Sequence, residues 1–126
     1  MVLSVKQLMI DANAAVPKIS VDEARKLVAD ENALLVDVRD GTELAKTGKL
    51  KGATHVSRGM IEFRADTDAP SHDPQFRKDR PVILYCASGG RAALAGKVLK
   101  DMGYAKVRNL GGFKDAADQG FETEPA

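Results

Sequence analysis

Two short, almost wholly apolar runs limit most strongly what this chain of 126 residues can fold into. They are Leu34-Leu-Val-Asp-Val38 and Val82-Ile-Leu-Tyr85. Runs of this length without alternating polar residues are typical of parallel strands that are buried on both faces. Segments whose apolar residues recur at helical spacing lie between and around these runs. This order predicts an α/β domain built around a central parallel sheet, wound with right-handed crossovers.

Helix-capping residues and the spacing of apolar residues predict the remaining helices and strands. Ser20-Val-Asp-Glu23 is a capping box, so we predict a helix over 21–30. A second clear helix is predicted over about 91–102, with Gly103 as its C-terminal glycine. Leu110-Gly-Gly112 is expected to turn into the last helix. Weaker patterns predict helices over 4–14, 40–47, 57–65 and 113–119, strands over 53–56 and 106–109, and a loop over 68–74.

These elements divide the chain into an N-terminal extension, residues 1–19, compatible with one short helix, and a single domain over 20–126. The domain is expected to hold about five short parallel strands flanked by helices. The start of the chain lacks a basic segment followed by a sustained apolar run, so we expect mature sequence.

Composition excludes several classes of function. A net charge of +1 and a 5% share of aromatic residues give no basic or stacking surface for nucleic acid or anionic membranes. The apolar runs are far shorter than the roughly 20 residues that span a bilayer. A single cysteine and two histidines supply neither an internal disulfide nor a four-ligand zinc site. We therefore expect a cytoplasmic protein with no metal, no membrane segment and no nucleic-acid partner.

The segment that indicates chemistry is the second apolar run with the residues that follow it. Cys86 ends the predicted strand and immediately precedes a predicted helix N-terminus. Carboxyl ends of parallel strands are the usual binding place in α/β sheets, and a helix N-terminus favours an anion such as a thiolate. Gly89 and Gly90 allow the backbone to curl so that amides point at the sulfur, and Arg91 adds a cation suited to an oxyanion. A lone cysteine is by itself most often a small buried apolar residue.

Three further segments accompany the apolar strand with Cys86-x-x-Gly89-x-Arg91: Leu35-Val-Asp-Val-Arg39, Gly48-Lys-Leu-Lys-Gly-Ala53 and Asn109-Leu-Gly-Gly112. The four segments, in this order along the chain apart from the first-named, resemble the single-domain rhodanese-like sulfurtransferases. The strand with Cys86 is similar to the active loop of that family, and the other three resemble its early strand, its middle turn and its late Gly-Gly turn. The resemblance covers about residues 20–121, which is nearly the whole chain.

The resemblance implies a three-layer rhodanese-like fold and transfer of sulfane sulfur. The Cys86 thiolate would take sulfur from a donor such as thiosulfate and pass the persulfide sulfur to cyanide or a thiol. Backbone amides of the substrate-binding loop would hold the persulfide anion; the loop comprises Ala87, Ser88, Gly89, Gly90, Arg91 and Ala92. No cofactor is implied. The partners are a small sulfur donor and acceptor, with a protein as an alternative sulfur acceptor.

Other charged residues near the predicted site carry weaker expectations. Within the family the pair corresponding to Asp37 and Arg39 is mainly structural. Arg58 and Arg64 lie one or two turns apart if helical, so they are candidates to attract an anionic donor, or they are solvated surface charges. The position of Ala87 is often cationic in family members that use thiosulfate, which predicts that thiosulfate is a poor donor here.

Two other functions stay open. A catalytically idle interaction module, or a persulfide carrier loaded by a partner protein, would have the same loop. A cysteine-dependent phosphatase or arsenate reductase would use a related fold. Tyrosine-type phosphatases have one residue more between cysteine and arginine than the four between Cys86 and Arg91, which favours sulfur chemistry.

Overall fold

The computed structural model describes residues 2–126 and contains six strands. They are β1 (Leu34–Asp37), β2 (Lys49–Leu50), β3 (Thr54–His55), β4 (Val82–Cys86), β5 (Val107–Gly112) and β6 (Thr123–Glu124). Four of them form the central parallel sheet in the order β3-β1-β4-β5. The α/β prediction is confirmed, with four strands in this sheet where about five were expected.

Six α-helices and one 3-10 turn complete the fold. They are α1 (Val5–Ala15), α2 (Val21–Glu31), α3 (Gly41–Thr47), a 3-10 turn (Arg58–Met60), α4 (Ile61–Ala65), α5 (Gly90–Asp101) and α6 (Phe113–Asp118). The predicted capping box is present: Ser20 and Glu23 exchange two hydrogen bonds at the start of α2, each of 3.1 Å. Each predicted helix is confirmed in position, although 57–65 begins as a 3-10 turn.

Two apolar clusters fill the space on either side of the sheet, which gives three layers. Alternate residues of β4 point to opposite faces, as the pleat requires. Leu84 and Cys86 join a cluster with residues of α4 and α5, whereas Ile83 and Tyr85 join a cluster with residues of α2 and α6. All of β4 is buried, so this central strand holds the start of the loop after Cys86 in a fixed position.

Two features of the strands differ from the sequence prediction. Lys49–Leu50 and Thr123–Glu124 pair as a separate antiparallel sheet, which no local pattern indicated. The predicted strand over 106–109 and the predicted turn at Leu110-Gly-Gly112 are one strand, β5. Gly111 adopts φ +99°, and the register of β5 on β4 shifts there. This irregularity lets the strand continue, so that Gly112 pairs beside Cys86.

The N-terminal helix α1 packs against α5, the helix that follows Cys86. Val16, just after α1, is fully buried in the core cluster on that face of the sheet. A side chain at Gly96 in α5 would collide with Val16, so the glycine is what allows this close approach. None of the helices among residues 2–126 has the length and apolar character that crossing a bilayer requires.

Candidate active site

Cys86 is the last residue of the central strand β4, and 1% of its surface is exposed. Its neighbours at this carboxyl edge are the end of β1 on one side and Gly112 of β5 on the other. Helix α5 begins four residues later, at Gly90, and has 12 residues. The unpaired amides of its first turn and the positive end of its dipole lie at the same edge.

The loop between β4 and α5 bends around the sulfur of Cys86. The Gly89 amide donates a hydrogen bond to Sγ at 3.0 Å. Gly89 has φ +102°, a conformation that L side chains rarely adopt, so a glycine suits this position of the loop. Ala87 and Ser88 are exposed, whereas Gly89 and Ala92 are buried. The predicted loop residues therefore lie together around Cys86, with Arg91 in the first turn of α5.

The loop is held from behind by β5, through two residues that sequence reasoning did not assign to the site. The fully buried Asn109 donates from Nδ2 to the Gly89 carbonyl at 3.0 Å and accepts from the Gly111 amide at 2.8 Å. Gly112 lies so close to the Ala87 carbonyl that a Cβ there would overlap it. The Asn-x-Gly-Gly motif was visible in the sequence, but its contact with the loop was not.

Arg91 does not point a free guanidinium at the sulfur. Its Nη1 and Nη2 donate to the two carboxylate oxygens of Glu43 on α3, at 2.8 and 3.1 Å. This hydrogen bonding lowers the pKa of Glu43 and raises the pKa of Arg91. The bidentate geometry that we expected to face an oxyanion thus binds α3 to α5. Glu43 was not predicted, because it lies 48 residues from its partner.

Asp37 and Arg39 form a buried ion pair beneath this edge of the sheet, with 0% and 2% exposure. Arg39 donates from Nη2 to Asp37 at 2.7 Å, from Nη1 to Thr47, and again from Nη2 to the Gly48 carbonyl. Its guanidinium also lies 4.4 Å from the centre of the Phe113 ring. Burial opposes the charge of Arg39, but the contacts with Asp37 outweigh it and raise the pKa of the guanidinium. The pair therefore joins β1, α3 and α6.

The comparisons with known proteins bear on this arrangement. The family model for the Rhodanese-like domain matches residues 20–119. The chain belongs to this family.

Relatives of this rhodanese-like domain include a sulfurtransferase from Allochromatium vinosum, 34% identical over 89 residues, which cover 71% of this chain and 75% of the relative. The human thiosulfate:glutathione sulfurtransferase is 27% identical over 105 residues, or 79% of this chain and 90% of the relative. A solved structure from Rhodopseudomonas palustris, named a protein of unknown function and possible tyrosine phosphatase, superposes with a TM-score of 0.88. It is 33% identical and covers 98% of this chain and 96% of its own.

Arg58 and Arg64 of the rhodanese-like domain are both engaged in local contacts. Arg58 bonds Glu62 one helical turn away at 3.0 Å. Arg64 donates to the Ser71 carbonyl at 3.1 Å and so holds the loop that follows α4. Each arginine thus forms a hydrogen bond with a residue no more than seven positions away in the chain.

A pocket of about 230 Å³ lies beside the active loop of the rhodanese-like domain, between α3 and α6. We call it the side pocket. It reaches the loop at Ala87, the residue after Cys86, and its other walls include Thr47 and Phe113. Two lysines, Lys46 and Lys114, line it as well. The side pocket therefore opens beside the loop that follows Cys86.

Proposed function

We propose that the chain is a sulfurtransferase that carries sulfane sulfur as a persulfide on Cys86. The relatives named sulfurtransferases support a rhodanese-like sulfur-transfer role in general. The observation that carries the proposal for Cys86 is the hydrogen bond from the Gly89 amide to Sγ, at the N-terminus of α5. A backbone donor aimed at a sulfur stabilises negative charge on that sulfur and on a second sulfur bonded to it.

Transfer takes two displacements. The Cys86 thiolate attacks the outer sulfur of thiosulfate, the S–S bond of the donor breaks, and sulfite leaves with the bonding electrons. A nucleophilic acceptor then attacks the outer sulfur of the persulfide, and Cys86 leaves as a thiolate. Cyanide gives thiocyanate in this step, and a thiolate gives an organic persulfide. The name of the human relative supports thiosulfate as donor and a small thiol as acceptor.

Phosphate chemistry has weaker support. Cysteine-dependent phosphatases hold a tetrahedral oxyanion in a loop closed by an arginine. Here the loop is one residue shorter, and both terminal nitrogens of Arg91 donate hydrogen bonds to Glu43. The site that remains at Cys86 suits a single sulfur better than a ring of phosphate oxygens.

Intact-protein mass spectrometry tests the proposal. The mass of the reduced protein is measured before and after incubation with thiosulfate, and again after addition of cyanide, with Cys86→Ser as the matched control. We expect Cys86 to gain one sulfur atom, slowly because Ala87 brings no cation to the loop, and cyanide to remove it as thiocyanate, while the folded serine variant gains none. Loading by a small persulfide but not by thiosulfate would remove thiosulfate as the donor. Failure of both to load Cys86 would favour a carrier that only a partner protein loads, and phosphatase and arsenate assays would follow.

A further inference from the structure

Arg91 is the only charged residue in the loop that follows Cys86. The other residues of this loop carry no charge: Ala87, Ser88, Gly89, Gly90 and Ala92. Arg91 lies in the first turn of α5, which begins at the same edge of the sheet as Cys86. The hydrogen bonds to Glu43 raise the pKa of Arg91 most, and the charge of Cys86 also raises it, so the guanidinium is within electrostatic reach of the sulfur. A negatively charged donor that approaches the Cys86 thiolate is repelled unless this cation offsets the charge.

Glu43 occupies the part of Arg91 that would hold an oxyanion. The Nη1 and Nη2 atoms of Arg91 together suit two oxygens of one anion. Here they donate instead to the two carboxylate oxygens of Glu43, at 2.8 and 3.1 Å. Glu43 also lines the side pocket together with Ala87, so it lies at the edge of the active loop. A donor oxyanion must therefore displace this carboxylate from Arg91 or bind without these two nitrogens.

The charges around the pair do not replace the attraction that Glu43 cancels. Over α3, its cap and the active loop, the carboxylates of Asp40 and Glu43 balance the cations of Lys46 and Arg91. The remaining cations on the wall of the side pocket have aspartate partners, in the pairs Arg39–Asp37 and Lys114–Asp118. These charges therefore leave no net attraction for a doubly negative donor, whereas removal of the Glu43 charge would create one.

We propose that Glu43 is a positioning residue that sets the charge of the sulfur donor. By holding Arg91, its carboxylate disfavours doubly negative donors such as thiosulfate and leaves Cys86 to donors with a single negative charge. This inference rests on the proposed persulfide chemistry at Cys86. With either kind of donor the thiolate attacks the outer sulfur, the sulfur–sulfur bond breaks, and the leaving group departs with the bonding electrons. Thiosulfate releases sulfite, and a monoanionic thiosulfonate releases a sulfinate.

Two donors that differ by one charge test this role, the dianion thiosulfate and the monoanion methanethiosulfonate, in which a methyl group replaces one charged oxygen. The initial rate of sulfur loading on Cys86 is measured for each by intact-protein mass spectrometry, at equal and low donor concentration. The ratio of the two rates cancels any general effect of a substitution on folding or on the thiolate. A partly exposed ion pair contributes up to about fivefold, so we expect Glu43→Gln to raise the ratio of thiosulfate to thiosulfonate loading about fivefold.

Three further variants separate the charge of Glu43 from its structural role. Glu43→Asp keeps the carboxylate and should leave the ratio close to that of the parent. Glu43→Gln combined with Arg91→Gln lacks the cation that the single variant releases, so its ratio should return to the parent's. Glu31→Gln is the matched control and should not change the ratio, because Glu31 pairs with Lys106 at the start of β5, the opposite edge of the sheet from Cys86.

An unchanged ratio in Glu43→Gln overturns the assignment, and so does an equal rise in Glu43→Asp or in the double variant. Each of these results leaves persulfide transfer standing, because Cys86 was loaded. If neither donor loads Cys86, the proposed function fails for these donors, and the role of Glu43 is tested by binding alone. Amide NMR then measures thiosulfate binding to the Cys86→Ser protein with and without Glu43→Gln. A dissociation constant about fivefold lower in the Glu43→Gln protein supports the role, whereas equal constants, or no binding by either protein, overturn it.

Discussion

Asn109→Ala separates the active loop from its support without touching Cys86. In the folded protein the Asn109 amide joins the Gly89 carbonyl at 3.0 Å to the Gly111 amide at 2.8 Å, and the side chain is fully buried. Alanine removes one of the two donors to the Gly89 carbonyl, which keeps the Ala93 amide at 3.0 Å, and it leaves the half-buried Gly111 amide without its acceptor. The loop then loses this side-chain hydrogen bond to β5.

The expected destabilisation follows from these two contacts. The hydrogen bond lost at the Gly89 carbonyl contributes about 1 kcal/mol, and the half-buried Gly111 amide, left without its acceptor, costs about 1 kcal/mol, the lower end of the range for unpaired polar groups. We therefore expect the free energy of unfolding to fall by about 2 kcal/mol in total. With a urea dependence of about 2 kcal/mol/M, the midpoint of unfolding falls by about 1 M.

Urea unfolding followed by far-UV circular dichroism measures this change, since the chain has no tryptophan to report by fluorescence. The initial rate of sulfur loading on Cys86 is measured below the unfolding transition, where we expect it to fall because the Gly89 amide is no longer fixed. Asn13→Ala, on the exposed side of α1, is the matched control and should stay within about 0.5 kcal/mol of the parent. An Asn109→Ala protein with the parent's midpoint and loading rate would refute the role of Asn109 as the support of the loop.

Two further predictions concern the same edge of the sheet. Glu43→Gln should lower the free energy of unfolding by about 0.5–1 kcal/mol at pH 7, since the pair with Arg91 is one-third exposed. Because folding lowers the pKa of Glu43, the difference in stability between the two proteins should be complete above the ordinary glutamate pKa and should vanish as pH falls through the lowered pKa. Urea unfolding at pH 7 and pH 3, each measured to about 0.3 kcal/mol, checks this pH dependence. Gly112→Ala should reduce sulfur loading at least tenfold, because the new Cβ displaces the Ala87 carbonyl. At Gly111 a Cβ meets no other atom, but the positive φ is unfavourable for alanine, so Gly111→Ala should lose about 1–2 kcal/mol of stability with a smaller effect on loading. Equal loading by the two glycine variants at matched stability would contradict the close-contact argument.

The elements that the sequence predicted well are those whose signals are local. The buried strands β1 and β4 show as apolar runs, and the start of α2 shows as a capping box, because neighbouring residues alone determine these patterns. The loop from Cys86 to Arg91 was visible for the same reason: strand, glycines and helix follow one another without interruption.

What the sequence did not reveal depends on residues that meet only in the folded chain. The partner of Arg91 is 48 residues away, and Asn109 reaches Gly89 across 20 residues. The pairing of β2 with β6 joins segments from the middle and the end of the chain. The path of β5 was missed because Gly111 and Gly112 read as a turn, whereas the positive φ of Gly111 serves a strand irregularity.

The loop around Cys86 has its shape imposed from outside, by Asn109 and Glu43. Its two outermost side chains, Ala87 and Ser88, are exposed. Replacements at these two positions should therefore leave folding almost untouched while changing the charge and polarity that an arriving donor meets. Such a site can acquire a new donor preference through one or two codon changes, without first having to gain stability elsewhere. Under the proposed persulfide mechanism, the support of the nucleophile Cys86 and the residues that an arriving donor meets can therefore evolve separately.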